Sequence, residues 1–239
     1  MKNKELNCSD VIKKLKILGD PERAKNYAWF FKTGPGEYGQ GDKFLGIRVP
    51  VLKKTAKQFK DLSFSDIRKM LKSNVHEHRF VALKILVLQY EDADNALRKK
   101  IINFYLANTK RINNWDLVDT SAPYILGDYF SLKDKSILYK LAESKSIWER
   151  RIAIISTAAF IKKRDYKDTL KIAKILLKDK HDLIHKAVGW MLREVGKKSI
   201  PDLIKFLDKH KNEMPRTMLR YAIEKFSPER RKYYLKTSF

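Results

Sequence analysis

Four compact residues recur along this chain at a nearly constant interval, and that interval constrains the fold more than any other feature. Ala82 in "RFVALKIL", Val118 in "WDLVDTSA", Ala153 in "RRIAIIST" and Gly189 in "KAVGWMLR" are separated by 36, 35 and 36 residues. Each lies in a segment whose apolar residues follow the helical period rather than strand alternation. The interval is that of a two-helix unit, so the spacing predicts an all-α solenoid in which equivalent positions line one face. Helix boundaries are marked accordingly. "SDVIKKLKILG" opens on Ser/Asp and closes on Gly19, and "DPERAKNYAWFFK" places Pro21 in a first turn, where its missing N–H costs nothing. Roughly twelve to fourteen helices with short loops are expected, forming a single domain over residues 1–239. One stretch departs from the pattern: "TGPGEYGQGD", residues 33–42, holds four of the nine glycines. An insertion at 33–43 is expected there, a flexible loop or short hairpin that serves either as a connector or as a projecting wing.

The repeat frame also aligns chemistry. The residue after each compact position is Leu83, Asp119, Ile154 and Trp190, and three residues before it stand Arg79, Trp115, Arg150 and Lys186. These two positions are four apart and share a helix face. Arg151, three before Ile154, flanks the same stripe. Trp115, Asp119, Arg151 and Trp190 are therefore expected on one face of adjacent repeats, among Arg79, Arg150 and Lys186. Other readings stay open: both tryptophans could be core aromatics, Asp119 a surface acid, and Arg151 a partner of Glu149 or a solvated side chain. Asp116 is expected to turn away from that face, toward helix packing or solvent.

Lys and Arg total 52 against 28 acids, a net charge of +24. Such an excess favours a polyanionic partner, because neutralised phosphates release condensed counterions on binding. Basic residues interleaved with aromatics on a concave surface suit a nucleic-acid groove. With 44% apolar residues the chain can build a core. The one cysteine, Cys8, excludes a disulfide framework and a cysteine-based metal site. "MKNKELNCSD" has no apolar core of a secretory signal, and the longest nearly apolar run, 152–161, is too short to span a bilayer. A soluble, cytoplasmic monomer without membrane association is expected.

Motif matches beyond this are weak. His181 and His185 in "HDLIHK" stand at i, i+4, but a hydrolytic zinc helix needs Glu after the first His and a third ligand; Asp182 fits a first-turn role opposite the helix dipole better. "HEH" at 76–78 points its two imidazoles to different faces. "GPGEYGQG" lacks the Lys-Ser/Thr of a phosphate loop. Neither metal nor cofactor is expected.

The blocks "FLGIRVP" (44–50), "NNWDLVDTSAPYILGDYF" (113–130), "SIWERRIAI" (146–154) and "IHKAVGWMLRE" (184–194) resemble the AlkD-type DNA alkylation repair proteins, across roughly residues 10 to 235. The resemblance implies a right-handed α-solenoid of HEAT-like repeats, curved with a basic concave DNA-binding face. It implies a glycosylase that hydrolyses the N-glycosidic bond of cationic N3- or N7-alkylpurines in duplex DNA, and matches Trp115, Asp119, Arg151 and Trp190 to the family's site. In that reading Asp119 stabilises the sugar cation and orients water, the two indoles face the deoxyribose and nucleotide, and Arg151 holds a phosphate with help from Lys186 and Arg193. It further implies that the lesion can be cleaved while still stacked. Two departures stand out: the glycine-rich insertion is longer, and the position of an aromatic used near the lesion holds Phe30, which has no hydroxyl. The alternatives are a HEAT-like protein that binds damaged or branched DNA without excision, and a protein-interaction scaffold. The glycine-rich segment, on the DNA-binding readings, would be a wing that touches DNA.

Overall fold

The computed structural model describes residues 6 to 236. Among them the structure is all-helical, with no strand; its one β-type pairing is an isolated bridge between Lys43 and Val75. Contacts divide the chain into two compact units, Met1–Ser121 and Ala122–Phe239.

In the first unit the helices are α1 (Cys8–Ile17), α2 (Pro21–Phe30), α3 (Val49–Gln58), α4 (Phe64–Leu71), α5 (His76–Asp92), α6 (Asn95–Ala107) and α7 (Trp115–Asp119). The start of α1 is set one residue earlier than the Ser/Asp pair suggests. Asn7 is the cap, accepting from Ser9 N, while Asp10 reaches back to Asn7 N, so two orphan donors are satisfied at once. In α2, Pro21 occupies the first turn and Asp20 caps through Arg23 N. Helix α5 is the axis of the unit: α3, α4, α6, α1 and α7 pack on it. Its sequence is apolar nearly all round, as a helix enclosed by neighbours requires. Phe80, Val81, Leu83, Ile85 and Leu86 are buried, as are Leu52 and Ala56 of α3 and Ile67, Met70 and Leu71 of α4, the helices that pack on it. Each such side chain contributes about 1.5–3 kcal/mol of hydrophobic stabilisation.

The second unit holds α8 (Asp128–Phe130), α9 (Ser136–Ala142), α10 (Ile147–Ser156), α11 (Ala158–Lys162), α12 (Lys167–Ile175), α13 (Asp182–Lys198), α14 (Ile200–His210), α15 (Arg216–Ala222) and α16 (Pro228–Lys236). It opens with a π-type turn at Pro123–Gly127. Helix α13 is its axis, contacting α10, α12, α14 and α15. The compact repeat residues explain themselves here. Ala82, Val118 and Ala153 are completely buried. At Gly189 a Cβ would stand 2.5 Å from both Met218 O and Tyr221 Cβ, so glycine lets α15 lie directly on α13.

A local device recurs at three helix starts. In α5, Ser73 Oγ accepts from Val75 N at 3.0 Å and Arg79 Nη1 donates to Ser73 O at 2.9 Å. In α10, Ser144 Oγ accepts from Ser146 N at 3.0 Å and Arg150 Nη1 donates to Ser144 O at 2.9 Å. In α13, Asp179 Oδ1 accepts from His181 N at 2.8 Å and His185 Nε2 donates to Asp179 O at 2.5 Å. The side chain at the first position closes a turn, and the side chain six residues on clasps its carbonyl. The spacings, 71 and 35 residues, match two repeats and one.

Candidate functional site

A lined concavity belongs to the first unit. Helix α2 ends in a run of aromatics, Tyr27, Trp29, Phe30 and Phe31, and Phe44 follows the glycine-rich segment. These side chains, with Ile47, Leu52, Phe80, Trp115 and Thr120, enclose a cleft of about 680 Å³; Lys53, His76 and Asp116 also line it. The rings are ordered against one another. Trp115 stacks on Phe31 with centroids 5.2 Å apart and planes at 18°, and Phe31 stacks on Phe44 at 5.0 Å. Phe30 meets Trp115 edge-on at 6.0 Å. Trp29 is 76% exposed and Phe30 53%, unusual for rings of this size.

Beside this stack lies a buried ionic cluster that ties three segments together. His76, the first residue of α5, donates from Nε2 to Asp116 Oδ2 of α7 at 2.8 Å and faces Asp42 of the glycine-rich segment at 3.4 Å. Arg79 Nη2 donates to the same Asp42 oxygen at 2.7 Å. Asn114, the cap of α7, reaches it from Nδ2 at 3.5 Å. The imidazole also packs against both phenyl rings, its centroid 4.7 Å from that of Phe44 and 5.0 Å from that of Phe31. Burial opposes charging His76, but the charge and hydrogen bond of Asp116, with the hydrogen bond to Asp42, raise its pKa to about 9. Burial would likewise raise the Asp42 carboxyl; the hydrogen bond from His76 and the charge of Arg79 outweigh it and hold the group below the usual carboxylate range. The neighbouring Glu77 accepts from Leu45 N, Gly46 N and Ile47 N. These bonds hold the chain where Gly46 needs a positive φ, 77°.

The residues expected at the site fall out as follows. Trp115 and Asp119 are the ends of α7, both half-buried, one helical turn apart. Asp119 does not line the cleft; its charge is felt by the buried Tyr105 hydroxyl, which burial pushes up and which bonds Ser121 Oγ at 2.9 Å. Asp116, expected to turn away, lines the cleft while bonded to His76. Phe30 stands at the cleft.

In the second unit, Arg151 of α10 is 5% exposed and donates from Nη1 to Leu183 O at 2.6 Å. Trp190 of α13 is half-buried, its Nε1 donating to Glu194 at 3.2 Å. Lys186 pairs with Asp182 at 2.7 Å in the first turn of α13, and Arg193 pairs with Glu224.

Two expected groove cations are corrected. Arg79 is 2% exposed, its guanidinium turned inward to Asp42 and the Ser73 carbonyl, because a buried guanidinium requires such partners. Arg150 donates four hydrogen bonds, two to Asp179 and one each to the Ser144 and Lys145 carbonyls. Both clasp helix starts. The glycine-rich segment is also not a free hairpin: Asp42 is buried in the ionic cluster, Lys43 N bonds Asn74 O, and Lys43 O accepts from His76 N. Sequence reasoning did not find Trp29, Phe31, Phe44, Asp42 or His76. The run "NYAWFF" was the available signal for the aromatics; the ionic cluster left none.

A family model described as "DNA alkylation repair enzyme" matches residues 11–226. Among solved structures, a predicted DNA alkylation repair enzyme from Enterococcus faecalis is similar in fold, with a TM-score of 0.67 and 16% identity, covering 88% of this chain and 97% of that one. No curated protein matches. Among the described residues, no helix is long and apolar enough to cross a membrane.

Proposed function

Since the chain belongs to the DNA alkylation repair enzyme family, we propose that it is a DNA glycosylase acting on cationic N3- or N7-alkylpurines in duplex DNA. The observation that carries this reading is α7, which holds an indole and a carboxylate one turn apart, Trp115 fixed by Phe31 and Phe30. A net charge of +24 supplies the attraction for phosphates.

The bond that breaks joins sugar C1′ to the purine nitrogen. Its electron pair goes to the base, which already carries the alkyl-derived positive charge and so leaves neutral without a strong general acid. The sugar is left with oxocarbenium character, as in glycoside hydrolysis. The Asp119 carboxylate stabilises that cation and orients a water, whose oxygen bonds to C1′ and whose proton passes to solvent. Trp115 and Trp190 offer π faces to deoxyribose and cationic base. Arg151 takes a backbone phosphate in this reading, with Lys186 and Arg193 adding positive charge.

The test is release of 7-methylguanine and 3-methyladenine from methylated duplex DNA. Removing a preorganised charge of this kind costs about 10²–10³ in rate, so Asp119→Asn is expected to slow release by that factor while DNA binding persists. Binding without release above the spontaneous rate, in the unaltered protein, would favour a non-catalytic damage-binding role instead.

A further inference from the structure

We propose that Asp42, which closes the glycine-rich segment, is a positioning residue: by way of Asn114, His76 and Asp116 it fixes the angle at which α7 presents Trp115 and Asp119. The proposal rests on the glycosylase reading for its effect on rate, while the geometry it predicts is testable apart from any activity.

Helix α7 needs an external brace because it is short. It has five residues, well below the roughly 12–15 at which an isolated helix begins to hold itself in water. Its placement is therefore set by what it touches. Leu117 and Val118 are completely buried, which fixes the depth of the helix in the unit but not its tilt. The far end is pinned: Ser121 Oγ donates to Leu117 O at 2.5 Å and bonds the Tyr105 hydroxyl of α6 at 2.9 Å. The near end hangs on the ionic cluster by two side chains. Asn114, also completely buried, caps Trp115 N with its oxygen and turns Nδ2 toward Asp42 Oδ2 at 3.5 Å. Asp116 accepts from Leu117 N through Oδ1 and from His76 through Oδ2, and His76 in turn faces the same Asp42 oxygen.

These ties converge on Asp42, whose single oxygen meets His76, Arg79 and Asn114. The glycine-rich segment is folded so as to deliver it. Gly39 N donates to Lys32 O just past α2, Asp42 N donates to Gly39 O, and the side chains of Glu37 and Gln40 accept from Gly34 N and Gly36 N. Phe31, the neighbour of Lys32, stacks on Trp115, so the same stretch meets the start of α7 twice. Charge makes the arrangement interdependent. Asp42 and Asp116 balance His76 and Arg79, and withdrawing Asp42 leaves two buried cations on one carboxylate. The displacement required is small. With the far end pinned, a tilt of about 10° swings the near end of a helix about 6 Å long through about 1 Å. A misplacement of that size costs about 10²-fold in rate.

The experiment exchanges the two groups in the full chain. Asp42→Asn removes the carboxylate, and Asn114→Asp keeps a capping oxygen but sets a second carboxylate against the first. The double variant restores one amide and one carboxylate across the gap. Single-turnover release of 7-methylguanine and DNA affinity are measured where circular dichroism shows each protein folded. Each single variant is expected to lose about 10- to 100-fold in rate with affinity retained, and the double variant to regain most of it. The two changes alter local charge in opposite senses, so a field effect alone would slow one variant and speed the other. Position is read from the Trp115 indole N–H signal in protein labelled on tryptophan nitrogen, identified by its loss in Trp115→Phe. That signal should shift in Asp42→Asn, remote in sequence from the ring, and return in the double variant; the Trp148 and Trp190 signals of the second unit should stay. If a single variant does not fold, Asn114→Ser, which keeps a capping oxygen and adds no charge, must show the shift and the loss in its place. An unmoved Trp115 signal, an unaltered rate, equal losses of affinity and rate, or no recovery in the double variant would overturn the proposal. Should the unaltered protein release no base, the glycosylase reading fails and the indole signal alone decides the brace. Normal release by every variant sinks the brace and leaves the glycosylase.

Discussion

Replacing His76 with glutamine removes the positive charge that joins Asp42 to Asp116 while keeping a hydrogen-bonding side chain of similar reach. The imidazole is raised from 6.5 to about 9 by its two carboxylate neighbours. That difference corresponds to about 3 kcal/mol of folding free energy. The sign follows from the raised value: the folded state holds the proton more tightly, so the contribution is complete below about pH 6.5 and disappears as pH rises through about 9. At pH 7.5 about 2 kcal/mol of it should remain, and by pH 10 almost none. Urea unfolding followed by circular dichroism at pH 6, 7.5 and 9.5 measures it. The unaltered protein should lose about 3 kcal/mol across this window beyond what the variant loses; other alkaline titrations, such as that of the half-buried Lys84, are common to both and cancel. At pH 6 the variant itself should be less stable, since one partner of a buried charge cluster has gone. Parallel pH curves for the two proteins would show that the His76 charge does not hold these segments together. The acid side runs oppositely: the lowered Asp42 carboxyl stabilises above its unfolded value, and that contribution is lost as pH falls through its folded one.

Two further substitutions separate packing from binding. Arg79→Ala should destabilise by about 3–5 kcal/mol in thermal or urea unfolding, because it leaves Asp42 short of a buried partner. At temperatures where the variant is folded, the salt dependence of its DNA affinity should be unchanged; a shallower slope at unaltered stability would restore Arg79 as a phosphate contact. Gly189→Ala puts a methyl against the Met218 carbonyl, which is backbone and cannot rotate aside. A loss of about 1–3 kcal/mol, seen as a lowered Tm, is expected, and an unchanged Tm would mean that α15 yields freely.

Helices were legible because amphipathic spacing and caps are local, and the repeat was legible because Ala82, Val118, Ala153 and Gly189 are all buried, Gly189 at a close approach of α15. Family membership was legible in the blocks around Trp115, Arg151 and Trp190. What escaped was partner choice. His76 meets Asp42 and Asp116 across 34 and 40 residues, and no spacing rule in the chain pairs them. Arg79 and Arg150 looked like groove cations because charge is read as exposure. Yet the serines six residues before them, Ser73 and Ser144, are the same signal at both helix starts and could have shown the clasp. The glycine-rich segment read as free because its glycines are conspicuous, while the single Asp42 that anchors it is not.

The recurring clasp has a consequence for how such a chain can change length. Every bond in it lies within seven consecutive residues, as from Ser73 to Arg79, from Ser144 to Arg150 and from Asp179 to His185. The clasp bonds themselves are local, although the start of α5 also leans on Asp42 and Lys43, and that of α13 on Arg150 and Arg151. Duplicating or excising one interval of about 35 residues would therefore keep each remaining clasp and disturb only the bonds between neighbouring repeats. Gene-level insertions and losses in whole repeats cost such a protein only the fit between neighbours, which gives it an easy route to longer and shorter descendants.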